Sequence, residues 1–256
     1  MARLVIVVPC YNEEKRIGRT LEEYAGFFSI ETEILVVINN TSDRTEEVVK
    51  SYQVKYPYIK YLNLKPGGKG FAIMEGFKEA LKNTDNDLIG FVDADMSTSP
   101  KEFNKLVDDY NGDGDGAIAS RYIKGSIIEP AQPFSRRLAS RVFNIIVRAM
   151  FLFKYSDTQC GAKVFQRYAI EEVIDKIGVT NWAFDIDLLY NMHKVGFKIE
   201  EVPITWANDG DSKINLKKSS LQMLLACCRL RLCNSPFAFM APAFRFLIKP
   251  IWNLVK

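Results

Sequence analysis

Four apolar runs separated by polar, helix-patterned stretches constrain this chain more than any other feature: ARLVIVVP, TEILVVI, YIKYLNL and DLIGFV. Apolar runs of this length, rich in β-branched residues, read as strands buried on both faces. Between them, NEEKRIGRTLEEYAGFF, SDRTEEVVKSYQ and the stretch from Phe71 to about Lys82 carry helical patterning. The second of these opens on a capping pattern, Ser42 followed three residues later by Thr45 and then by acids. Strands alternating with helices predict an α/β fold with a largely parallel sheet and right-handed crossovers. Ligand-binding loops of such sheets lie at the carboxyl ends of the strands. PCYNEE, NNTSD, PGGKG and DADMS all fall there.

Beyond residue 116 the pattern becomes mixed. GAIAS, AKVF and KIEEVPITW read as strands, and Phe134 to Leu152 and AFDIDLLYNMHKV as helices. With 256 residues, 48% of them hydrophobic, the chain can bury one large core. No repeat or linker appears, so the expectation is one domain over 1–218 and a tail over 219–256. Eight of the 34 Lys/Arg but one of the 31 Asp/Glu lie in 211–256, so that segment carries about +7 and the rest about −4. A basic segment on an acidic body does not favour nucleic-acid binding. In the tail, Phe237, Met240, Phe244, Leu247, Ile248, Ile251, Leu254 and Val255 recur at helical spacing, with Arg245, Lys249 and Lys256 among them. Such a basic amphipathic segment suits a membrane surface. Five cysteines without regular spacing make neither a disulfide framework nor a zinc site, and point to the cytosol. The N-terminus is expected to enter a strand with no signal peptide. No stretch reaches the roughly 18 uncharged apolar residues of a spanning helix.

Asp93 and Asp95 end the fourth run. Residues i and i+2 of an extended segment point to the same side, so both carboxylates can face one pocket. Hard cations such as Mg²⁺ are held by one or two carboxylates, with water and substrate phosphates completing the shell. The pair suits a metal–diphosphate clamp, although an isolated DxD equally suits a helix cap or a solvated loop. The glycines of PGGKG let backbone approach a ligand, and Lys69 adds positive charge at a helix N-terminus; the same residues also suit a tight turn. Their spacing is neither that of a P-loop nor G-x-G-x-x-G, which counts against kinases, GTPases and nicotinamide-dependent oxidoreductases.

In combination the motifs carry a resemblance. PCYNEE, the turn after the second run, GGKG, VDADMSTSP and ASRY resemble, in that order, glycosyltransferase family 2, the inverting enzymes of the GT-A fold. SDTQCGAKVF, NWAFDIDLLY and EEVPITWANDGDSK are similar to the dolichyl-phosphate sugar synthases, especially the glucosyltransferase branch. The resemblance covers roughly residues 3–232. It implies a single α/β GT-A domain followed by C-terminal amphipathic helices. It implies that Pro9, Tyr11 and Glu13 line the base and ribose and that Ile38 and Asn40 close over the base. Asp93, Ala94 and Asp95 would hold ribose and diphosphate, with Lys69 in the same nucleotide-sugar site. Asp95 would be the main ligand of Mg²⁺ or Mn²⁺, with Asp93 beside it. Mannosyl relatives usually place a glutamine ligand at position 97; here it is Ser97, a weaker one. Arg121, Arg136, Ser140 and Lys213 would surround the phosphates and carry catalysis, and Asp185 would contact the sugar. Arg136 and Arg137 equally suit a solvated helix turn, and Asp187 a helix-face carboxylate.

The reaction so implied is inverting transfer of a sugar from a nucleotide sugar to dolichyl or polyprenyl phosphate. A phosphate monoester, with a second pKa of about 6, is mostly dianionic at neutral pH and needs no general base. That fits a chain whose single histidine, His193, lies outside the motifs and reads as a surface residue. Relatives usually read VDDGS where this chain has INNTS. A carboxylate only accepts hydrogen bonds, whereas an Asn amide also donates. An Asn40 amide can accept from uracil N3–H and donate to a neighbouring carbonyl, which predicts a UDP-sugar donor, UDP-glucose or UDP-N-acetylglucosamine. Asn39 and Asn40 also suit a role confined to shaping the turn. The enzyme is expected to sit peripherally on the cytoplasmic face of a membrane. Open alternatives are a GDP-mannose-dependent dolichyl-phosphate mannosyltransferase, transfer to a non-lipid acceptor with Asp185 or Asp187 as base, and a nucleotide-sugar-binding protein without catalysis.

Overall fold

The apolar runs form β1 (Leu4–Cys10), β2 (Thr32–Asn39), β3 (Ile59–Leu64) and β4 (Leu88–Val92), linked by α1 (Ile17–Phe27), α2 (Thr45–Lys55) and α3 (Lys69–Leu81). The chain continues through α4 (Pro100–Asp108), β5 (Gly116–Ser120), β6 (Ile127–Glu129), α5 (Phe134–Phe151), β7 (Ala162–Gln166) and α6 (Arg167–Val173). It ends with α7 (Phe184–Val195), β8 (Ile199–Pro203), β9 (Thr205–Ala207) and α8 (Leu216–Cys233). The computed structural model describes residues 3–108, 114–178, 183–208 and 216–240, the side chains of 216–220 and 240 excepted.

Seven strands form one sheet in the order β3-β2-β1-β4-β7-β5-β8. Its pairings are parallel except that β7 runs antiparallel to both β4 and β5. The first three strands build outward in one direction and β4 returns to the other side of β1. This reversal of strand order opens a crevice at the carboxyl ends of β1 and β4, where α/β sheets bind ligands. Reversing β7 brings the segment that precedes it to the same edge.

Period-two alternation sends the strand residues into two layers. Val5, Val7, Leu35, Val37, Ile89 and Phe91 pack with Phe77 of α3 and Phe184 and Leu188 of α7. Leu4, Ile6, Val8, Ile34, Val36 and Ile38 pack with Leu21 and Tyr24 of α1, Val49 of α2 and Phe103 of α4. Each fully buried side chain of this kind contributes about 1.5–3 kcal/mol. Helix α3 lies close on the sheet because position 76 is glycine: a Cβ there would stand 2.5 Å from Val7 Cγ1.

Four boundaries differ from the sequence expectation. Helix α1 starts at Ile17, not at Asn12, because Asn12 takes a left-handed conformation (φ 55°) and the intervening residues hold neighbouring loops. Helix α2 is not opened by Ser42. Asp43 takes the capping role, its Oδ1 accepting from the Thr45 N–H at 3.0 Å and hydroxyl at 2.5 Å, while the Ser42 N–H donates to Asn12 Oδ1. KIEEVPITW is two strands rather than one, β8 beside β5 and β9 in a separate parallel pair with β6. Pro203, with no N–H to donate, closes the first ladder. Helix α8 crosses the expected 218/219 boundary, and its Cys227 and Leu230 are buried in the core. No described helix is long and apolar enough to cross a membrane. All five cysteines are free thiols.

Candidate active site

The carboxyl ends of β1, β2 and β4 and the N-terminus of α3 border a cavity of about 750 Å³. Pro9, Tyr11, Glu13, Asn40, Lys69, Asp93, Ala94 and Asp95 line it. The first two loops are laced together: the Glu13 N–H donates to Thr45 Oγ1 (2.8 Å) and the Glu14 N–H to Asp43 Oδ2 (3.1 Å). Glu13 accepts a two-toothed contact from Arg16 (2.7 and 2.8 Å). Burial pushes the Glu13 carboxyl up, and Arg16 opposes it. Ile38 does not line the cavity; its place in the β2 alternation turns it into the core against the α1–α2 layer. Asn39 points the other way, and its amide donates to the Gly68 carbonyl at 3.2 Å, bracing the glycine loop. Asn40 is exposed at the rim with φ 52°, a conformation asparagine adopts more readily than most residues.

The two strand-end aspartates are not equivalent. Lys69 Nζ lies 2.5 Å from Asp93 Oδ1. Burial works against the Lys69 charge, but the facing Asp93 and Asp185 outweigh it and hold its pKa above the ordinary lysine value. Burial likewise pushes Asp93 up, with Asp95 adding and Lys69 opposing. Glycine at position 161 leaves room for this carboxylate: a Cβ there would stand 2.0 Å from Asp93 Oδ2 and displace it. Asp95 has no cation partner among the described residues; its Oδ1 accepts from the Ser97 N–H (2.9 Å), and Met96 between them is left-handed (φ 60°). Ser97 itself is buried away from the lining. Among the described residues no three His, Cys, Asp or Glu cluster to hold a metal on their own. Asp95, with Asp93 beside it, fits an ion whose shell is completed by a ligand's phosphates and water.

The opposite wall comes from the second half of the chain. Arg121, Arg136 and Ser140 line it, with Gln132, Ala139, Phe143, Gln159, Trp206 and Met223. Arg121 is not a loose cation. It donates to the fully buried Asp157 through Nε (2.7 Å), Nη2 (3.0 Å) and its own N–H (3.1 Å), and sits 5.3 Å from the Tyr122 and Trp206 rings. Burial would raise the Asp157 carboxyl, but Arg121 wins and holds it below the usual carboxylate range. Arg136 forms no ion pair among the described residues. Ser140 and Tyr122 share a hydroxyl–hydroxyl hydrogen bond of 2.5 Å. Lys213 lies outside the described residues.

Asp185 lines the cavity from the first turn of α7, and Lys163 Nζ holds its Oδ1 at 2.6 Å. Asp187 faces inward, accepting from the Gly178 N–H and the Asn191 amide, both at 2.8 Å. His193 is exposed, edge-on to Phe153. Asp157, Lys163, Trp206 and Met223 have no assigned role in the sequence reading. Asp157, Lys163 and Trp206 lie inside motifs that carry the resemblance; Met223 gives no local signal, since tertiary packing alone brings α8 to the rim.

The model of the Glycosyl transferase family 2 matches residues 5–174. The chain belongs to this family. It is a glycosyltransferase, and its sheet and crevice are those of the GT-A fold. The chain is 29% identical to the dolichyl-phosphate beta-glucosyltransferase of Dictyostelium discoideum over 98% of its length and 76% of the relative's. The human protein of the same name is 30% identical, with 86% and 72% covered. A dolichol-phosphate mannosyltransferase of Pyrococcus furiosus is 29% identical, with 84% and 60% covered. Among solved structures, glucosyl-3-phosphoglycerate synthase from Mycobacterium tuberculosis, in complex with Mn²⁺, UDP and glucosyl-3-phosphoglycerate, superposes with a TM-score of 0.69. Its 18% identity over 92% of this transferase and 81% of that chain speaks to the shared fold alone.

Proposed function

We propose that this transferase moves a hexose, with inversion, from a UDP-sugar (UDP-glucose or UDP-N-acetylglucosamine) to dolichyl or another polyprenyl phosphate. One observation carries the reading. Helix α5 places Arg136 and Ser140 on the cavity, while Phe134, Leu138, Val142 and Ile145 of the same helix stand 71%, 51%, 47% and 63% exposed. Arg137, Arg141 and Arg148 are exposed beside them. A helix that offers a cation and a hydroxyl inward and an apolar, arginine-flanked face outward suits an acceptor with a phosphate head, a hydrocarbon tail and a membrane around it. The beta-glucosyltransferase relatives point to the same acceptor.

The chemistry follows from charge. An acceptor phosphate oxygen attacks the anomeric carbon as the bond to the nucleoside diphosphate breaks. A phosphate arrives ionised, so no side chain need remove a proton. Of the two carboxylates that a hydroxyl acceptor would call on, Asp187 is held by Gly178 and Asn191 outside the cavity lining, and Asp185 has one oxygen held by Lys163. Pro9, Tyr11, Glu13 and Asn40 would hold base and ribose, and Lys69 would face the diphosphate. Arg136 and Ser140, with Lys213, would hold the acceptor phosphate against like-charge repulsion. Mg²⁺ or Mn²⁺ on Asp95 would supply positive charge to the departing diphosphate. The enzyme would work peripherally on the cytoplasmic face, with α5 and the segment from 219 onward against the lipid.

The test is product formation from a panel of nucleotide sugars with dolichyl phosphate in vesicles, with and without EDTA. The expected result is a lipid-soluble sugar phosphate from a UDP-sugar, abolished by EDTA. Transfer only to a soluble glycan, or binding without turnover, overturns the reading. L138E/I145E is expected to lower co-sedimentation with anionic vesicles, with nucleotide binding unchanged.

A further inference from the structure

Lys163, on the reversed strand β7, is fully buried. Its ammonium donates to Asp185 Oδ1 (2.6 Å) and to the Cys160 carbonyl (2.7 Å), and lies 5.1 Å from the centre of the Phe91 ring. A buried charge is tolerated only when it is paired and hydrogen-bonded. This one is, and what it holds is a cavity-lining side chain.

Lys69 offers the contrast. It too faces an aspartate beside the Phe91 ring, at 5.9 Å, but its side chain is 42% exposed and can reach a ligand. The Lys163 side chain is 0% exposed and cannot, whereas that of Asp185 is 12% exposed. Asp185 also stands in the first turn of α7, where unpaired backbone N–H groups favour negative charge. Its Oδ2 has no protein donor among the described residues. The outcome is a carboxylate anchored through one oxygen, with the other an acceptor in the cavity lining. It lies close enough to Asp93 and Lys69 for their charges to interact. Hydroxyl groups are what such an oxygen takes, and the diphosphate, being anionic, is what it turns away.

We propose that Lys163 is a positioning residue that holds Asp185 aimed at the cavity, so that Asp185 accepts hydrogen bonds from hydroxyls of the donor sugar. The proposal rests on the nucleotide-sugar reading above but not on the identity of the base. It predicts a selective defect: loss of Lys163 harms recognition of the sugar and spares recognition of the nucleoside diphosphate.

The experiment is calorimetric titration of UDP and UDP-glucose, with Mn²⁺ and without acceptor, into the full chain, K163M, D185N and K163M/D185N. The expected result is no loss of UDP affinity in any variant. UDP-glucose affinity falls about tenfold or more in each single variant, the scale of a lost hydrogen bond to a charged group. The double variant loses no more than the worse single one. A K163M protein that keeps the wild-type ratio of UDP-glucose to UDP affinity overturns the proposal, as does equal weakening of both ligands. Should K163M not fold, D185N decides: an unchanged ratio overturns the proposal. If the wild type prefers GDP, the donor assignment falls, and the same variants are scored with GDP and GDP-mannose.

Discussion

The two halves of the sheet use their strand ends differently. From β1 to β4 each strand is followed by its helix, all pairings are parallel, and loops adjacent in sequence line the cavity. From β5 onward the strands leave chain order, β7 runs backwards, and the opposite wall gathers Arg121, Arg136, Asp185, Trp206 and Met223 from five segments. The charges differ as well. On the first side Asp95 faces the cavity without a cation partner among the described residues. On the second, Arg121 is locked to buried Asp157 and Lys163 to Asp185. The first half presents groups that a ligand can complete, and the second spends several of its charges holding itself in shape.

The sharpest way to break this contrast is Asp95→Ala. Turnover is expected to fall on the order of 10³-fold, the scale of removing a main electrostatic stabiliser, with an unchanged melting temperature. EDTA-resistant activity near wild type would show that Asp95 holds no ion. Asp157→Asn is its counterpart on the other side. Breaking a buried pair costs about 3–5 kcal/mol, so urea unfolding is expected to show a large loss of stability. The pH dependence has a definite sign. The folded-state pKa of Asp157 is lowered, so the pair's contribution is present above the ordinary carboxylate pKa and lost as pH falls through the lowered value. The gap between wild type and D157N should therefore close in acid. A gap independent of pH would mean that the carboxylate's charge is not what stabilises.

Arg136→Ala tests the one cavity-facing arginine that carries no ion pair among the described residues. The apparent KM for lipid phosphate is expected to rise about tenfold to a hundredfold, the scale of one charge-assisted hydrogen bond, with the KM for nucleotide sugar little changed. Equal rises for both would move Arg136 to the donor side. Asn40→Asp is expected to give the smallest effect, a few-fold narrowing of any preference for UDP over GDP, about the size of one neutral hydrogen bond. Because position 40 is left-handed, a fall in melting temperature without a change in nucleotide preference would assign Asn40 to the turn alone.

Much of the first wall is legible in the sequence because buried parallel strands and strand-end loops are local patterns. β1 to β4 follow from continuous apolar runs, and Asp93 and Asp95 follow from their position at the end of one. Ile38 shows the limit. It lies one residue from the loop, but period-two alternation sends it to the core, and which face of β2 meets the cavity depends on neighbours far along the chain. Asn12 and Ser42 fail for a related reason, since their groups serve a neighbouring loop rather than the helix after them.

The amino-acid sequence by itself determined the α/β class, the edge of the sheet at which the cavity opens, and most residues of its first wall. These depend on interactions within some ten residues, where apolar periodicity and glycine placement leave few alternatives. Only the tertiary structure decided that β4 returns beside β1, that β7 runs backwards, and that Asp157 and Lys163 hold Arg121 and Asp185. Arg121 is paired with an aspartate 36 positions away and Lys163 with one 22 away. Burial removes those charges from water and makes their pairing obligatory, and no local pattern records which partner the fold will bring.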